Sequence, residues 1–198
     1  LLPPPDYRLL MTTTRTTLAR SLPLLAALAL LAGCAGTSDS ACDRHEERTR
    51  GTKPQTTYKL IAPKTGEAAV RTLPSGNVAL APTYRIRFKP PYSEQCRTIT
   101  LYKDVVIQRS NDRDVEFSEV REFYAEDGTL ITSYTQDITS QVPRSGRYVA
   151  TTPLPIPKNA PPGRYKIVNK LLFERPTTGR HPVQIARAEG TFFIVPRR

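Results

Sequence analysis

The chain has 198 residues, 38% of them hydrophobic and none tryptophan, with a formal net charge of +11. That length allows one ordinary domain plus accessory segments, and that hydrophobic content suits a modest core rather than a membrane bundle. Proline outnumbers glycine 19 to 10, which disfavours a helical body and leans toward an all-β or loop-rich one. The first 33 residues hold three arginines and one aspartate, so the remainder still carries +9. Such a surface favours anionic neighbours such as lipid phosphates, acidic polysaccharide or nucleic acid, with solubility as the plainer reading of the same charge.

In chain order, "LLPPPDYRLL" (residues 1–10) reads as an upstream extension without periodicity, and Met11 as the start. Residues 11–33 then read as a secretory leader. "MTTTRTTLARS" supplies two arginines and no acid, Leu22 to Ala32 form an 11-residue apolar run, and Gly33 and Cys34 follow. Eleven residues make about 16 Å of helix, roughly half of a bilayer span, so the run is a leader and not a transmembrane helix.

The four residues Leu31-Ala32-Gly33-Cys34 resemble the lipobox of bacterial lipoproteins. The resemblance implies that the Cys34 thiol receives a diacylglyceryl group. It further implies that cleavage falls just before Cys34 and that the new amino terminus takes an acyl chain such as palmitate. Several chains together give stable membrane anchoring where one alone is marginal. Ala35 stands where an aspartate would resemble an inner-membrane retention signal, so the resemblance points to the periplasmic face of the outer membrane.

Residues 34–57 are the expected lipidated terminus and tether. "AGTSDSACDRHEERTRGTKPQTT" has too few apolar side chains to offset its ordering entropy. As a flexible coil it would hold the body about 25–30 Å from the lipid. Cys42 and His45 have metal-ligand types, but no second pair follows them, so no metal site is expected. With Cys34 lipidated, Cys42 and Cys96 remain as one candidate disulfide in an oxidising compartment, two free thiols being the alternative.

From residue 58 to 198 period two dominates. "TYRIRFK" sets Tyr84, Ile86 and Phe88 on one face and Arg85, Arg87 and Lys89 on the other. "RTITLYKDVVI" keeps Ile99, Leu101, Val105 and Ile107 in one register with Lys103 as an interruption, which predicts a bend or bulge near Lys103-Asp104. The stretch "NDRDVEFSEVREF" fits helix and strand periods equally poorly. "EFYAEDGTLITSY" reads as a hairpin turning at Asp127-Gly128. A short strand follows "PRSG". "PLPIPKNAPPG" has too many prolines for a central strand and reads as an edge or a connection. "GRYKIVNKLLFE" places Tyr165, Ile167, Leu171 and Phe173 on one face and Lys166 and Lys170 on the other, and "QIARAEGTFFIV" closes the chain.

Seven or eight short strands between turn signals predict an all-β fold, a single β-sandwich. The last pair, opened by Pro-Pro-Gly-x-Tyr, resembles the final strands of an immunoglobulin-like domain. That resemblance implies that Tyr165 closes a corner with its hydroxyl. It is one of architecture only, since the Cys…Trp…Cys hallmark is absent.

Nothing in the sequence pairs a nucleophile with a base. His181, in "TGRHPV", reads as a turn residue. The carboxylate pairs Asp112/Asp114 and Glu119/Glu122 read as a solvated face rather than as acid–base groups across a cleft. No enzyme activity and no cofactor are expected. The sharper feature is the basic rows: Arg85, Arg87 and Lys89 at about 6.8 Å spacing, with Lys166 and Lys170 as a second. They suit an anionic ligand or, more plainly, protect strand edges from aggregation. The expectation is a lipid-anchored, non-enzymatic envelope module with a protein or polysaccharide partner and no nucleic acid. The alternatives are a periplasmic subunit of a larger machine and, less well supported, an accessory to carbohydrate hydrolysis.

Overall fold

The computed structural model describes residues 37–61, 73–110, 115–175 and 181–197. The leader and Cys34 lie outside the described residues, as do Asp112 and Asp114. Among the described residues one α-helix, α1 (Thr37–Thr49), precedes nine strands. These are β1 (Thr57–Ile61), β2 (Ala79–Phe88), β3 (Tyr92–Glu94), β4 (Thr98–Arg109), β5 (Glu116–Tyr124), β6 (Leu130–Asp137), β7 (Gly146–Pro155), β8 (Gly163–Glu174) and β9 (Val183–Val195). They form a four-stranded sheet in the order β1-β7-β4-β2 and a five-stranded sheet in the order β3-β9-β8-β5-β6. No helix among the described residues is long and apolar enough to cross a membrane.

The strand order is immunoglobulin-like. β2, β4 and β7 share one sheet while β5, β8 and β9 share the other, as the first, second and fifth strands and the third, sixth and seventh strands do in that sandwich. β1 arrives from the N-terminal side and takes the remaining edge beside β7. The chain leaves β2 through a cis bond at Lys89-Pro90 and joins the second sheet as β3, parallel to β9. Tyr165 donates its hydroxyl to the Pro161 carbonyl at 2.6 Å, closing the corner before β8. Tyr148 does the same to Arg144 before β7, also at 2.6 Å. The Asp127-Gly128 turn joins β5 to β6, with Gly128 at φ +86°, a conformation glycine adopts without penalty.

The structure departs from four local expectations. First, residues 37–49 are helical rather than a loose tether. The helix is too polar and short to persist alone, but it is tied down. Cys42 and His45, three residues apart on one face, are both buried. Cys42 is disulfide-bonded to Cys96 with a Cα–Cα distance of 5.0 Å. Glu46 also accepts the Lys158 backbone N–H at 2.9 Å. Second, the prolines of "PLPIP" belong partly to a central strand. Pro153 and Pro155 pair with Thr100 and Thr98 of β4, but they lie beyond Thr57↔Thr151, where β1 has ended. On that uncovered flank a missing N–H breaks no ladder bond. Third, "NDRDVEFSEVREF" contributes β5, with Phe117, Glu119 and Arg121 all facing inward and buried. Fourth, β4 runs straight through Lys103-Asp104, and the irregularity lies in β2 between Leu80 and Thr83.

The core consists of two apolar clusters. One gathers Val105, Ile107, Phe117, Tyr148, Ala150 and Leu171 with their neighbours. The other gathers Phe88, Ile99, Leu101, Leu154, Ile167 and Phe192. Between them, on the inward registers of four strands, sit polar residues: Lys103 between Leu101 and Val105, Asn169 between Ile167 and Leu171, Thr152 between Ala150 and Leu154, and Glu119 beyond Phe117. A buried polar layer thus divides the sandwich core.

Candidate functional site

Two features stand out: the outer face of the four-stranded sheet and the polar layer inside. The outer face follows from register. Across β1-β7-β4-β2, one row reads Thr57, Thr151, Tyr102, Arg87 and the next Lys59, Val149, Asp104, Arg85. Arg147 follows on β7. These residues line a shallow concavity of about 720 Å³. Tyr102 and Val149, each 37% exposed, form its apolar floor, with Lys59, Arg85, Arg87 and Arg147 around it. Asp104 is held by Arg147 through two bonds of 2.9 and 2.7 Å. The hydrogen bonds from Arg147 hold the Asp104 carboxyl below its usual range, helped by the charges of Arg147, Arg85 and Arg87. Lys59, Arg85 and Arg87 form no ion pair among the described residues, so this face keeps uncompensated positive charge.

The two basic rows do not meet. Arg85 and Arg87 project from β2, whereas Lys166 and Lys170 project from β8 in the other sheet. Lys170 is paired with Glu122 at 2.6 Å, and Lys166 lies 5.1 Å from the centre of the Tyr124 ring. The second row is therefore part of a mixed-charge surface. Lys89 lies just past the end of β2, exposed at the chain crossing.

The polar layer centres on Glu119, which is 0% exposed. Its Oε1 accepts from Lys103 Nζ, from Asn169 Nδ2 at 2.9 Å and from Thr56 Oγ1 at 3.4 Å. Its Oε2 accepts from the Tyr58 hydroxyl at 2.6 Å. Lys103 also donates to Thr56 Oγ1 at 2.8 Å, and Arg121 Nη1 donates to the same oxygen at 2.7 Å. Gln136 accepts from Arg121 at 3.2 Å and from the Thr56 backbone N–H at 2.7 Å, while its amide returns a bond to the Thr56 carbonyl at 2.9 Å. Burial pulls the Lys103 amine down to about 8 against the opposing pull of Glu119. It lowers Arg121 as well, and it pushes the Tyr58 and Tyr84 phenols well above their ordinary values. Arg121 Nε and Asn169 Oδ1 are buried without a hydrogen-bond partner.

The carboxylates read as a solvated pair part company here. Glu119 is at the centre of the core, and only Glu122 faces outward, where Lys170 lowers its pKa. His181 is exposed ahead of β9. Cys42 is committed to sulfur and so is not a metal ligand beside His45. Residue type alone does not mark Lys103, Arg121 and Asn169. The signal for them was a polar residue on the inward register of an otherwise apolar strand.

No family profile matches this chain, and no curated protein matches it. Solved structures with a similar arrangement include a family 123 glycoside hydrolase from Clostridium perfringens, 12% identical, covering 54% of this chain and 22% of that one at a TM-score of 0.34. The CARDB domain of the PF1109 protein from Pyrococcus furiosus is 13% identical, covering 67% of this chain and 100% of that domain at 0.32. A conjugative transposon lipoprotein from Bacteroides eggerthii is 6% identical, covering 56% and 95% at 0.24. The chain thus spans less than a quarter of the hydrolase's length. These likenesses are too loose to carry an argument about activity.

Proposed function

We propose that this chain is a non-enzymatic binding module of the bacterial envelope. It is held by lipid on Cys34 at the periplasmic side of the outer membrane, and it presents the outer face of the four-stranded sheet to an acidic polysaccharide. One observation carries the binding reading: Lys59, Arg85, Arg87 and Arg147 ring Tyr102 and Val149 on one shallow face, with Asp104 as the carboxylate among them. Cations at strand spacing suit a polymer with repeated negative charge, and an exposed ring suits the flat face of a sugar. The absence of catalysis is supported by the carboxylates. Glu119 is fully occupied inside the core and Glu122 is engaged by Lys170 and Tyr124, so neither is offered to a substrate.

The test is retention on immobilised polygalacturonate at increasing salt. The wild-type protein is retained and elutes as salt screens the contact. The R85E/R87E variant flows through, and Tyr102→Ala elutes earlier. Retention unchanged by the charge reversal would refute this face as the site. For anchoring, Cys34→Ser leaves the membrane fraction; a variant that still sediments with membranes would refute the lipid attachment.

A further inference from the structure

We propose that Lys103 of β4 and Asn169 of β8 join in an intramolecular isopeptide bond, with Glu119 of β5 carrying the protons. The two sheets of the sandwich are then covalently tied across the core. The inference is independent of the basic outer face.

Geometry comes first. Lys103 Nζ and Asn169 Nδ2 both donate to one oxygen, Glu119 Oε1, so the amine and the carboxamide it would attack share a single proton acceptor. All three groups are sealed from water: the Lys103 and Glu119 side chains and the whole of Asn169 are 0% exposed. Proximity of this kind turns a slow bimolecular reaction into a unimolecular one.

The layer is also incomplete as an ordinary polar network. Lys103 and Arg121 bring two positive charges against the single carboxylate of Glu119, and an unbalanced buried charge is costly. Amide formation removes the surplus cation. Asn169 Oδ1 accepts no hydrogen bond, although buried carbonyl oxygens nearly always do. Its register partner on β5 is Arg121, whose Nε makes no hydrogen bond and lies 4.0 Å from Glu119 Oε1. An acceptor left open, with a guanidinium on its register neighbour, suits an oxygen on which negative charge develops during reaction. Burial favours the neutral form of the Lys103 amine, as an activated lysine nucleophile requires.

The chemistry balances without a co-reactant. The Lys103 ammonium gives a proton to Glu119, and its lone pair attacks Asn169 Cγ. The Nζ–Cγ bond forms and the carbonyl electrons move to Oδ1. Glu119 delivers its proton to Nδ2 and takes a second from Nζ. The Cγ–Nδ2 bond then breaks, the carbonyl re-forms and ammonia leaves. The proton on Glu119 departs with it as ammonium, and nothing is oxidised or reduced.

The experiment is peptide mapping of the full-length wild-type chain, reduced, denatured, digested with trypsin and sequenced by tandem mass spectrometry. The expected product is one branched peptide holding Lys103 and Asn169. It weighs one ammonia less than its two arms together, and it is uncleaved at Lys103. Recovery of both segments as separate peptides overturns the proposal. A branch to Glu119 with loss of water, or a deamidated but unlinked Asn169, overturns it equally. In Glu119→Gln the two arms are expected to separate while strand content by circular dichroism is retained. If that variant does not fold, the wild-type map decides alone.

Discussion

The disulfide offers the most direct test of how the N-terminal segment is held. Reducing Cys42–Cys96 leaves every residue in place but opens a closed loop with a sequence separation of 54. In the chain-entropy description, closing a loop of that length stabilises the fold by about 4 kcal/mol. For a domain of this size that corresponds to about 10 °C in Tm. The loss should fall unevenly. Helix α1 has 13 residues, of which Cys42 and His45 are buried. Its other ties include the Glu46 bond to Lys158, a bond from Arg197 to Cys42 Sγ at 2.8 Å and an exposed Asp43–Lys158 pair at 3.3 Å, and such exposed pairs contribute little. An isolated helix of this length is marginal in water. The assay is urea denaturation of oxidised and reduced protein, followed by circular dichroism at a helix-sensitive and a strand-sensitive wavelength. Reduction should lower the strand midpoint and remove helical signal at lower urea than strand signal. Coincident midpoints before and after reduction would refute the view that the disulfide holds the helix and closes the loop. A helical signal that survives reduction unchanged would do the same.

Three further outcomes are expected. Asp104 has a folded pKa held below its unfolded value by Arg147, so its contribution is present above about pH 4 and is lost as pH falls through the folded value. Asp104→Asn should therefore lower stability at neutral pH, leave it near wild type below the folded value and so flatten the acid limb, measured by urea denaturation across pH. Tyr165→Phe deletes the 2.6 Å bond to the Pro161 carbonyl and should cost about 1 kcal/mol by chemical denaturation; no change would mean the corner contributes nothing. Leu101, at 0% exposure beside the polar layer, should cost about 3 kcal/mol on replacement by alanine, measured in the same way.

Much of this protein was legible residue by residue. Alternation alone places Tyr84, Ile86 and Phe88 inward and Arg85 and Arg87 outward, because a strand's period of two is local and needs no partner. Asp127-Gly128 marks its own turn, since the backbone conformation needed there belongs to glycine. The Tyr165 corner was readable from a motif whose partners lie four residues apart. The composition of residues 35–57 was misleading for the opposite reason. What orders α1 is Cys96 and Lys158, far along the chain, and no local property records a distant anchor.

The interior shows the same division. Lys103 looked like an interruption of β4 because a charge normally points to water. It keeps its register and goes inward because Glu119 from β5, Thr56 from the segment before β1 and Asn169 from β8 meet it there. Each strand's alternation was decided by its own sequence. Whether a charged residue on the inward register would be tolerated was decided only by three-dimensional packing, since the groups that compensate it come from three separate segments.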